Sequence, residues 1–206
     1  MQPSFDPLDP VVIEYAYRRG FFPMPHPESG EVLWYDPDPR AVFFLDKFHI
    51  SRSLQKSLRK KGYTCTFDTA FEKVVNKCAD RDETWINADF VQMYLKMFSL
   101  GKAHSVEVWS EGELVGGVFG LCFGGVFNGE SMFSTADDAS KVALFHLVEA
   151  MKNARMHLLE VQFMTPHLAS LGAVGVSKDQ YHALLEKALL TNAQLEAHHF
   201  KSKVKS

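Results

Sequence analysis

A single carboxylate, Glu130, interrupts an apolar and β-prone part of the sequence. Between Ala103 and Ser134, three apolar runs are separated by Ser110-Glu111-Gly112 and by Gly124-Gly125, which are residues that close tight hairpins. This pattern predicts a three-stranded antiparallel meander over 105–109, 114–123 and 126–133. A mostly buried strand has no structural need for a carboxylate, so Glu130 is the first candidate for chemistry. The alternative is a hairpin carboxylate that backbone amides satisfy.

A second candidate site is a basic segment in the first third of the chain. Residues 47–67 hold six Lys or Arg side chains and no acid. Lys56, Arg59 and Lys60 are spaced three and four residues apart, so a helix would bring them to one side. This arrangement predicts a phosphate-binding surface, and a solvated helix face is the alternative.

The three cysteines do not form a recognisable motif. Cys65, Cys78 and Cys122 are odd in number and lack CxxC spacing, which is typical of a reducing compartment and argues against disulfides or a zinc site. No histidine lies at a readable spacing from any of them. We therefore expect neither a thiol nucleophile nor a bound cofactor.

The bulk composition is that of an ordinary globular protein. The chain has 206 residues, of which 46% are hydrophobic and 23% charged, and its formal net charge is −3. No apolar run approaches the roughly 20 residues that cross a bilayer, and the first residues lack the features of a secretory signal. We expect a cytoplasmic protein without membrane contact, and a monomer because no coiled-coil pattern is present.

The remaining elements must position these candidates. Periodicity and capping residues predict an α+β fold with an N-terminal unit at 1–61, a main domain at 62–190 and an unstructured polar tail at 191–206. The proline-rich segment 21–40 is expected to form a rigid loop. The other predicted elements are helices at 10–19, 51–61, 69–79, 90–100, 138–155 and 178–190, strands at 40–45, 63–68 and 158–163, and an apolar turn at 168–174. Thr69 or Asp68 is expected to cap the helix at 69–79. Asp137 or Asp138 is expected to cap the helix at 138–155.

Seven segments carry a more specific signal, and the match that they form covers roughly Tyr15 to Tyr181. They are AYRRGFFPMP, LWYDPDPRAVF, HISRSL, TWI, AHSVEVW with GELVGG and FG, NGESMFS with DASK, and HLASLGA. In wording and order they resemble the leucyl/phenylalanyl-tRNA–protein transferases. The resemblance implies a GCN5-related N-acyltransferase-like core and transfer of an aminoacyl group from aminoacyl-tRNA to the N-terminus of an acceptor protein, which marks that protein for degradation.

The resemblance also implies a set of catalytic residues. Gln162 matches the family's glutamine, whose amide oxygen accepts a hydrogen bond from the attacking amine. Glu160 lies two residues earlier, so it points the same way from a strand and can polarise that amide. Glu130 would hold the aminoacyl end or its α-ammonium group. An aminoacyl ester is already activated, so positioning of the reactants can supply much of the catalysis.

The substrate-binding residues implied by the resemblance lie in three groups. Trp34, Tyr35 and Trp85 would contact the terminal adenosine and the acceptor peptide. The basic segment would contact the acceptor stem of the tRNA through its phosphates, and its residues are Arg52, Lys56, Arg59, Lys60 and Lys61. The aminoacyl pocket would be built from the meander, with Val118, Phe119, Phe127, Asn128 and Met132 as its walls.

Three departures from the family pattern leave the transferred amino acid open. Asn128 replaces the usual Cys, Glu160 replaces Asp, and Asp36 replaces a Ser beside the aromatic pair. An acid inside an otherwise apolar pocket would favour a cationic side chain. Leu or Phe is the preferred donor residue, and Arg or Lys is the alternative.

Two other classes of protein compete with this interpretation. Acyl-CoA-dependent N-acyltransferases share the fold, but they bind pyrophosphate at a glycine-rich turn before a helix. The corresponding turn here, residues 133–138, has no glycine and contains Asp137 and Asp138. A non-catalytic RNA-binding protein would use the same basic helix but would not need Gln162.

Overall fold

The computed structural model of the protein describes residues 6–59, 62–81 and 84–200. The helices are α1 Pro10–Tyr17, α2 Arg52–Leu58, α3 Phe71–Ala79, α4 Ala88–Ser99, α5 Ala139–Asn153, α6 Pro166–Ser170 and α7 Lys178–Leu189. The strands are β1 Phe22–Pro25, β2 Val32–Tyr35, β3 Arg40–Phe43, β4 Tyr63–Phe67, β5 Ala103–Ser110, β6 Glu113–Phe123, β7 Val126–Ser134, β8 Leu158–Glu160 and β9 Val174–Val176. The predicted α+β class is confirmed.

A seven-stranded sheet forms the centre of the molecule, with the order β4-β5-β6-β7-β8-β3-β9. The predicted meander is confirmed as β5, β6 and β7, which pair antiparallel along their lengths. Strand β8 then pairs parallel to β7, and α5 is the crossover between them. Strand β3 lies between β8 and β9, so a segment of the predicted N-terminal unit is part of the main sheet. The domain division itself stays a prediction.

The two faces of the sheet bury different helices. Helix α5 covers one face, where it packs on Val118, Phe127 and Leu159. Helices α1, α3 and α4 cover part of the other face around Phe119, and α7 covers the part of that face around Val126. The strands supply both layers because successive side chains alternate between the faces.

The predicted cap of α3 is wrong, whereas the predicted Asp138 does occupy the N-cap position of α5 but makes no capping bond. Neither Thr69 nor Asp68 caps α3, because Asp68 has a left-handed backbone and accepts a hydrogen bond from the backbone N–H of Ser105 instead. Asp138 directly precedes α5, also with a left-handed backbone, and makes no side-chain cap bond. Its carboxylate is engaged by Lys141 and by the hydroxyl of Ser57. In both cases a tertiary contact occupies the expected capping group.

Four predicted segments differ from the structure in their local form. The proline-rich loop contains the hairpin β1–β2, and the apolar turn 168–174 overlaps the end of α6 and the start of β9. The predicted strand 158–163 ends at Glu160 because Gln162 has a left-handed backbone with φ of 54°. Residues 191–200 are not an unstructured tail: Leu195 is buried, and the ring of Phe200 stacks on Phe67.

Candidate active site

Glu130 lies at an irregularity in the pairing of β6 with β7. Ser131 pairs with Phe119 and Gly129 pairs with Gly120, so Glu130 is an extra residue opposite the partner strand. Such a β-bulge redirects a side chain. Gly120 permits this close approach, because a Cβ there would lie 2.1 Å from the carbonyl oxygen of Asn128. The bulge in β7 therefore sets the direction of the Glu130 side chain.

Two tyrosines hold the carboxylate of Glu130 beneath the surface. The hydroxyl of Tyr17 in α1 donates to Oε1, and the hydroxyl of Tyr94 in α4 donates to Oε2, each at 2.8 Å. No Lys or Arg of the described residues forms an ion pair with Glu130. Burial raises the pKa of Glu130 to about 8, although the two tyrosine hydrogen bonds act in the opposite direction, and the nearby Glu160 raises it further.

Gln162 and Glu160 make the contact that the sequence predicts, in a different backbone setting. The amide nitrogen Nε2 of Gln162 donates to Oε2 of Glu160 at 3.4 Å. The left-handed backbone of Gln162 also lets its N–H donate to Oε1 of the same carboxylate at 2.6 Å. Glu160 therefore fixes both the main chain and the side-chain amide of Gln162.

The sheet topology brings these three residues to one place. Asn128 of β7 pairs with Glu160 of β8 at the end of their parallel ladder. Glu130 and Gln162 each follow two residues later, so they lie where the two neighbouring strands separate. Clefts at the carboxyl ends of parallel strands are common sites for ligands. The three predicted catalytic residues are thus brought together.

A buried arginine, which sequence reasoning missed, completes this end of the sheet. Nε of Arg40 in β3 lies 2.7 Å from Oε1 of Glu160, and both residues are at most 1% exposed. Its guanidinium lies over the rings of Phe22 and Tyr181, with its carbon 4.6 and 4.4 Å from their centroids. Burial raises the pKa of Glu160, and the charge of Arg40 opposes that effect.

Asp36 is enclosed by cations rather than exposed to a pocket. Its carboxylate forms ion pairs with Lys178 and His182 of α7, and its Oδ1 lies 3.6 Å from Nη1 of Arg40. Burial of Asp36 opposes its ionisation, but the contacts with Lys178 and His182 lower its pKa. Two of the three departures from the family pattern, Asp36 and Glu160, are therefore acids with cationic partners.

The predicted pocket residues are not all brought together. Val118 and Phe127 are buried against α5 on one face of the sheet, and Met132 packs half-buried on the same cluster. Asn128 projects to the opposite face, next to Phe127 in the strand. Its Nδ2 donates to the carbonyl oxygen of Leu121 at 3.2 Å, and its Oδ1 is buried without a partner among the described residues.

The predicted aromatic side chains contact different neighbours of the predicted catalytic residues. Trp85 is half-buried, with its ring 6.5 Å from that of Tyr94, the tyrosine that holds Glu130. Trp34 and Tyr35 are half-buried on β2, and the ring of Tyr35 stacks on Phe22, which in turn contacts Arg40. Trp85 is therefore linked to Glu130 through Tyr94, and Tyr35 is linked to Glu160 through Phe22 and Arg40.

Arg81 is another residue that sequence reasoning missed. It follows α3, and its guanidinium donates to Oγ of Ser131 at 3.0 Å and to the carbonyl oxygen of Met132 at 3.4 Å. These contacts place a cation beside the bulge of Glu130. The polar loop around Trp85 gave the only sequence signal, since Arg81 lies four residues before that ring.

The basic helix lines a groove against the start of α5. Arg52, Lys56 and Arg59 are exposed, and they share a groove of about 730 Å³ with Asp137 and Asp138. Helix α2 is anchored by Leu54, which is fully buried. Lys60 and Lys61 lie outside the described residues.

The thiols are poorly suited to nucleophilic attack. Burial raises the pKa of Cys65 and Cys78 to about 12 and that of Cys122 to about 11. A thiol with so high a pKa holds little thiolate at neutral pH. This agrees with a site that acts through positioning.

Comparison with known proteins gives the family of the chain. A model of the leucyl/phenylalanyl-tRNA protein transferase family matches residues 42–186, and a model of the N-terminal domain of the same family matches residues 6–38. The chain belongs to this family. The resemblance found in the sequence is therefore confirmed.

Relatives in two bacteria match over almost the whole family protein. The leucyl/phenylalanyl-tRNA–protein transferase of Herpetosiphon aurantiacus is 48% identical over 187 residues, which cover 90% of this chain and 97% of the relative. That of Rhodospirillum rubrum is 49% identical, with 88% of each chain covered. A solved GCN5-related N-acetyltransferase from Kribbella flavida is similar in structure, with a TM-score of 0.47 and 10% identity, over 82% of this chain and 61% of that one.

No helix among the residues that the structure describes is long and apolar enough to cross a membrane.

Proposed function

We propose that the protein transfers a leucyl or phenylalanyl group from aminoacyl-tRNA to the N-terminal α-amine of an acceptor protein, in the cytoplasm, and so creates a degradation signal. One observation supports the proposal most strongly beyond family membership. Glu130, Glu160 and Gln162 lie together where β7 and β8 separate, because the crossover through α5 brings these two strands side by side. A binding protein without catalysis would not need this arrangement.

In the proposed reaction, the chain supplies position rather than a covalent intermediate. The neutral amine of the acceptor attacks the ester carbonyl, an amide bond forms, the bond to the ribose oxygen breaks, and the proton lost by the amine ends on that oxygen as the free hydroxyl of the tRNA. The amide oxygen of Gln162 accepts a hydrogen bond from the amine, since the amide nitrogen already donates to Glu160. Holding two reactants in this way can lower the barrier by several kcal/mol.

Glu130 is proposed to bind the α-ammonium group of the aminoacyl end. It is a buried carboxylate that is held only by neutral hydroxyl donors in the described structure, so it lacks the cation that a buried carboxylate normally requires. The ammonium group would supply that cation.

The remaining contacts are proposed to hold the tRNA and the peptide. Trp85 would stack on the terminal adenosine, an interaction that contributes about 1–3 kcal/mol per base in other proteins. Trp34 and Tyr35 would contact the acceptor peptide from the side of β2. Arg52, Lys56 and Arg59 would contact phosphates of the acceptor stem, because their side chains are exposed on one helix.

A neutral donor side chain fits the site better than a cationic one. Asp36 is paired with Lys178 and His182, and Glu160 is paired with Arg40. Neither acid is therefore an uncompensated charge that would select Arg or Lys. Asn128 adds a buried polar group, but no charge, on the face of β7 that also carries Glu130.

The test is transfer of Leu, Phe and Arg from their charged tRNAs to one reporter peptide. Transfer of Leu and Phe but not Arg is expected, whereas exclusive transfer of Arg would contradict the donor assignment. Gln162→Ala should abolish most turnover and preserve affinity for the tRNA. The matched control is Gln92→Ala, an exposed position on α4, and equal activity of both variants would exclude the proposed role of Gln162.

A further inference from the structure

Arg40 is the largest side chain that the described structure buries completely. A charged residue is almost never buried to this extent unless it is paired, and breaking a buried pair is strongly destabilising. A sheet strand could have filled the same volume with an apolar residue at less cost. The presence of a guanidinium at this position therefore needs a reason beyond packing.

The contacts of Arg40 lead to Gln162 through one carboxylate. Oε1 of Glu160 accepts from Nε of Arg40 at 2.7 Å and from the backbone N–H of Gln162 at 2.6 Å. Oε2 faces Nε2 of Gln162 at 3.4 Å. All three partners are donors, and a carboxylate that only accepts is the ionised form.

The position of Arg40 is fixed independently of Glu160. Its guanidinium contacts the rings of Phe22 and Tyr181, and its Nη2 lies 3.4 Å from the hydroxyl of Tyr181. These partners come from β1 and α7, on either side of β3 in the chain. Arg40 can therefore fix the position of Glu160, because its own position does not depend on Glu160.

We propose that Arg40 is a positioning residue for aminoacyl transfer, which keeps Glu160 as an acceptor and so turns the amide oxygen of Gln162 toward the attacking amine. The inference rests on the proposed role of Gln162. It assigns to a residue of the N-terminal third of the chain a function in the chemical step, although the side chain of Arg40 is almost completely buried.

The orientation of an amide depends on the protonation of its partner. An ionised Glu160 can only accept, so the NH₂ group of Gln162 faces it and the oxygen faces the opposite way. A protonated Glu160 could donate to the amide oxygen, and Gln162 would then present NH₂ to the incoming amine. The NH₂ group of Gln162 and the N–H groups of the amine would then face each other. Because both are donors, Gln162 could no longer orient the attacking nitrogen.

Several other groups surround Glu160, and each affects its ionisation. Asp36 lies beyond Arg40, Glu130 and Tyr17 lie toward α1, and Tyr181 lies on α7. The two acids make the protonated form of Glu160 more favourable. Among the described residues, Arg40 is the cation in direct contact with Glu160. Removal of Arg40 should therefore make Glu160 harder to ionise, and the other neighbouring groups cannot compensate for this loss.

The experiment compares Arg40→Gln and Arg40→Lys with the wild type in steady-state transfer to a reporter peptide. Arg40→Gln should lower kcat about 10- to 100-fold, the size of effect expected from misplacing a reacting group, with KM for aminoacyl-tRNA within about 2-fold. The acid limb of the pH profile of kcat should move to higher pH, because Glu160 then needs a higher pH to ionise. Arg40→Lys should restore part of kcat and move the limb back.

A second comparison separates positioning from folding. In a Glu160→Gln background, adding Arg40→Gln should change kcat less than about 2-fold, because Arg40 acts through Glu160. In the double variant, no unpaired acid is left at position 160 when Arg40 is removed. It can therefore be measured even if Arg40→Gln alone does not fold. An equal loss of kcat from Arg40→Gln in both backgrounds, or a loss that lies only in KM, would overturn the proposal.

Failure of this inference is distinguishable from failure of the proposed function. If the wild type transfers no amino acid from any charged tRNA, the proposed function is wrong. If Gln162→Ala loses turnover while Arg40→Gln keeps wild-type kcat and pH dependence, only the role of Arg40 is wrong.

Discussion

Replacing Glu130 by Gln should change how the stability of the protein depends on pH. Glutamine has the same shape as the protonated side chain, and its oxygen can accept from one of the two tyrosine hydroxyls while its NH₂ donates to the other. The packing around Tyr17 and Tyr94 is therefore retained. The substitution removes a titrating group and leaves the cavity filled.

The sign and size of the effect follow from the pKa of Glu130. Its value is about 8 in the folded protein, against an ordinary value of 4.5. The native state thus keeps a proton that the unfolded chain releases, so this group's contribution to stability is fully present below pH 4.5 and is lost as the pH rises through 8. At about 1.36 kcal/mol for each pH unit, the full loss is about 5 kcal/mol, of which about 3 to 4 kcal/mol falls between pH 5 and pH 8.

The assay is urea unfolding of wild type and Glu130→Gln at pH 5, 6, 7 and 8. The free energy of unfolding of the wild type should fall relative to that of the variant by about 3 to 4 kcal/mol over this range. Glu113→Gln, which removes a carboxylate at an exposed strand end, is the control for the change in net charge. A difference between wild type and Glu130→Gln that changes by less than about 1 kcal/mol would refute the argument, because Glu130 would then be solvated rather than buried.

Three further predictions concern the ligand, the tRNA and the bulge. An aminoacyl-adenosine analogue with an amide in place of the ester should release about one more proton when it binds the wild type at pH 7 than when it binds Glu130→Gln. Proton release is measured by calorimetry in buffers of different ionisation enthalpy. Equal release from the two proteins would exclude an ammonium group at Glu130. The double variant Lys56→Glu/Arg59→Glu should weaken tRNA binding and make its logarithmic salt dependence shallower by about 2, and an unchanged slope would remove these side chains from the phosphate contacts. Gly120→Ala should destabilise the protein by about 3 kcal/mol or more in thermal unfolding, since its Cβ would meet the Asn128 carbonyl at 2.1 Å, and wild-type stability would mean that the bulge is adaptable.

The elements with strong local patterns were predictable from the sequence. The meander β5–β7 has apolar alternation and two glycine-containing turns, and helix α4 has apolar residues at helical spacing before Gly101. In these segments the buried face and the turn chemistry are encoded within about ten residues. Their predicted bounds differ from the structure by only a few residues.

The partners of the catalytic residues were not predictable, because they are distant in the chain. Tyr17 and Glu130 are 113 residues apart, and Arg40 and Glu160 are 120 apart. A tyrosine in a short helix and an arginine after a proline carry no local sign of such contacts. The strand pattern selected Glu130, and the family resemblance added Glu160 and Gln162 as an interacting pair, but neither indicated that Tyr17, Tyr94 and Arg40 hold the two glutamates.

Hydrogen bonds of two carboxylates explain two of the local errors. The left-handed backbone of Gln162 is stabilised by the bond from its N–H to Glu160, two residues earlier, so the strand ends earlier than its apolar pattern predicts. The carboxylate of Asp68 binds His104 and the N–H of Ser105, which are distant in the chain, instead of capping α3. The apolar pattern of a segment does not reveal either kind of contact.

The two buried glutamates of the site are held in opposite ways, and this difference supports the separate roles that we propose for them. Glu160 has a guanidinium at 2.7 Å, whereas Glu130 has two neutral hydroxyls. Because each carboxylate makes ionisation of the other less favourable, one cation in direct contact can keep only one of them charged before substrate binds. Glu160 is that one, and it can therefore hold Gln162 as an acceptor throughout the reaction. Glu130 is left able to ionise when an α-ammonium group arrives, so recognition of the aminoacyl end and aiming of the amine are assigned to different carboxylates.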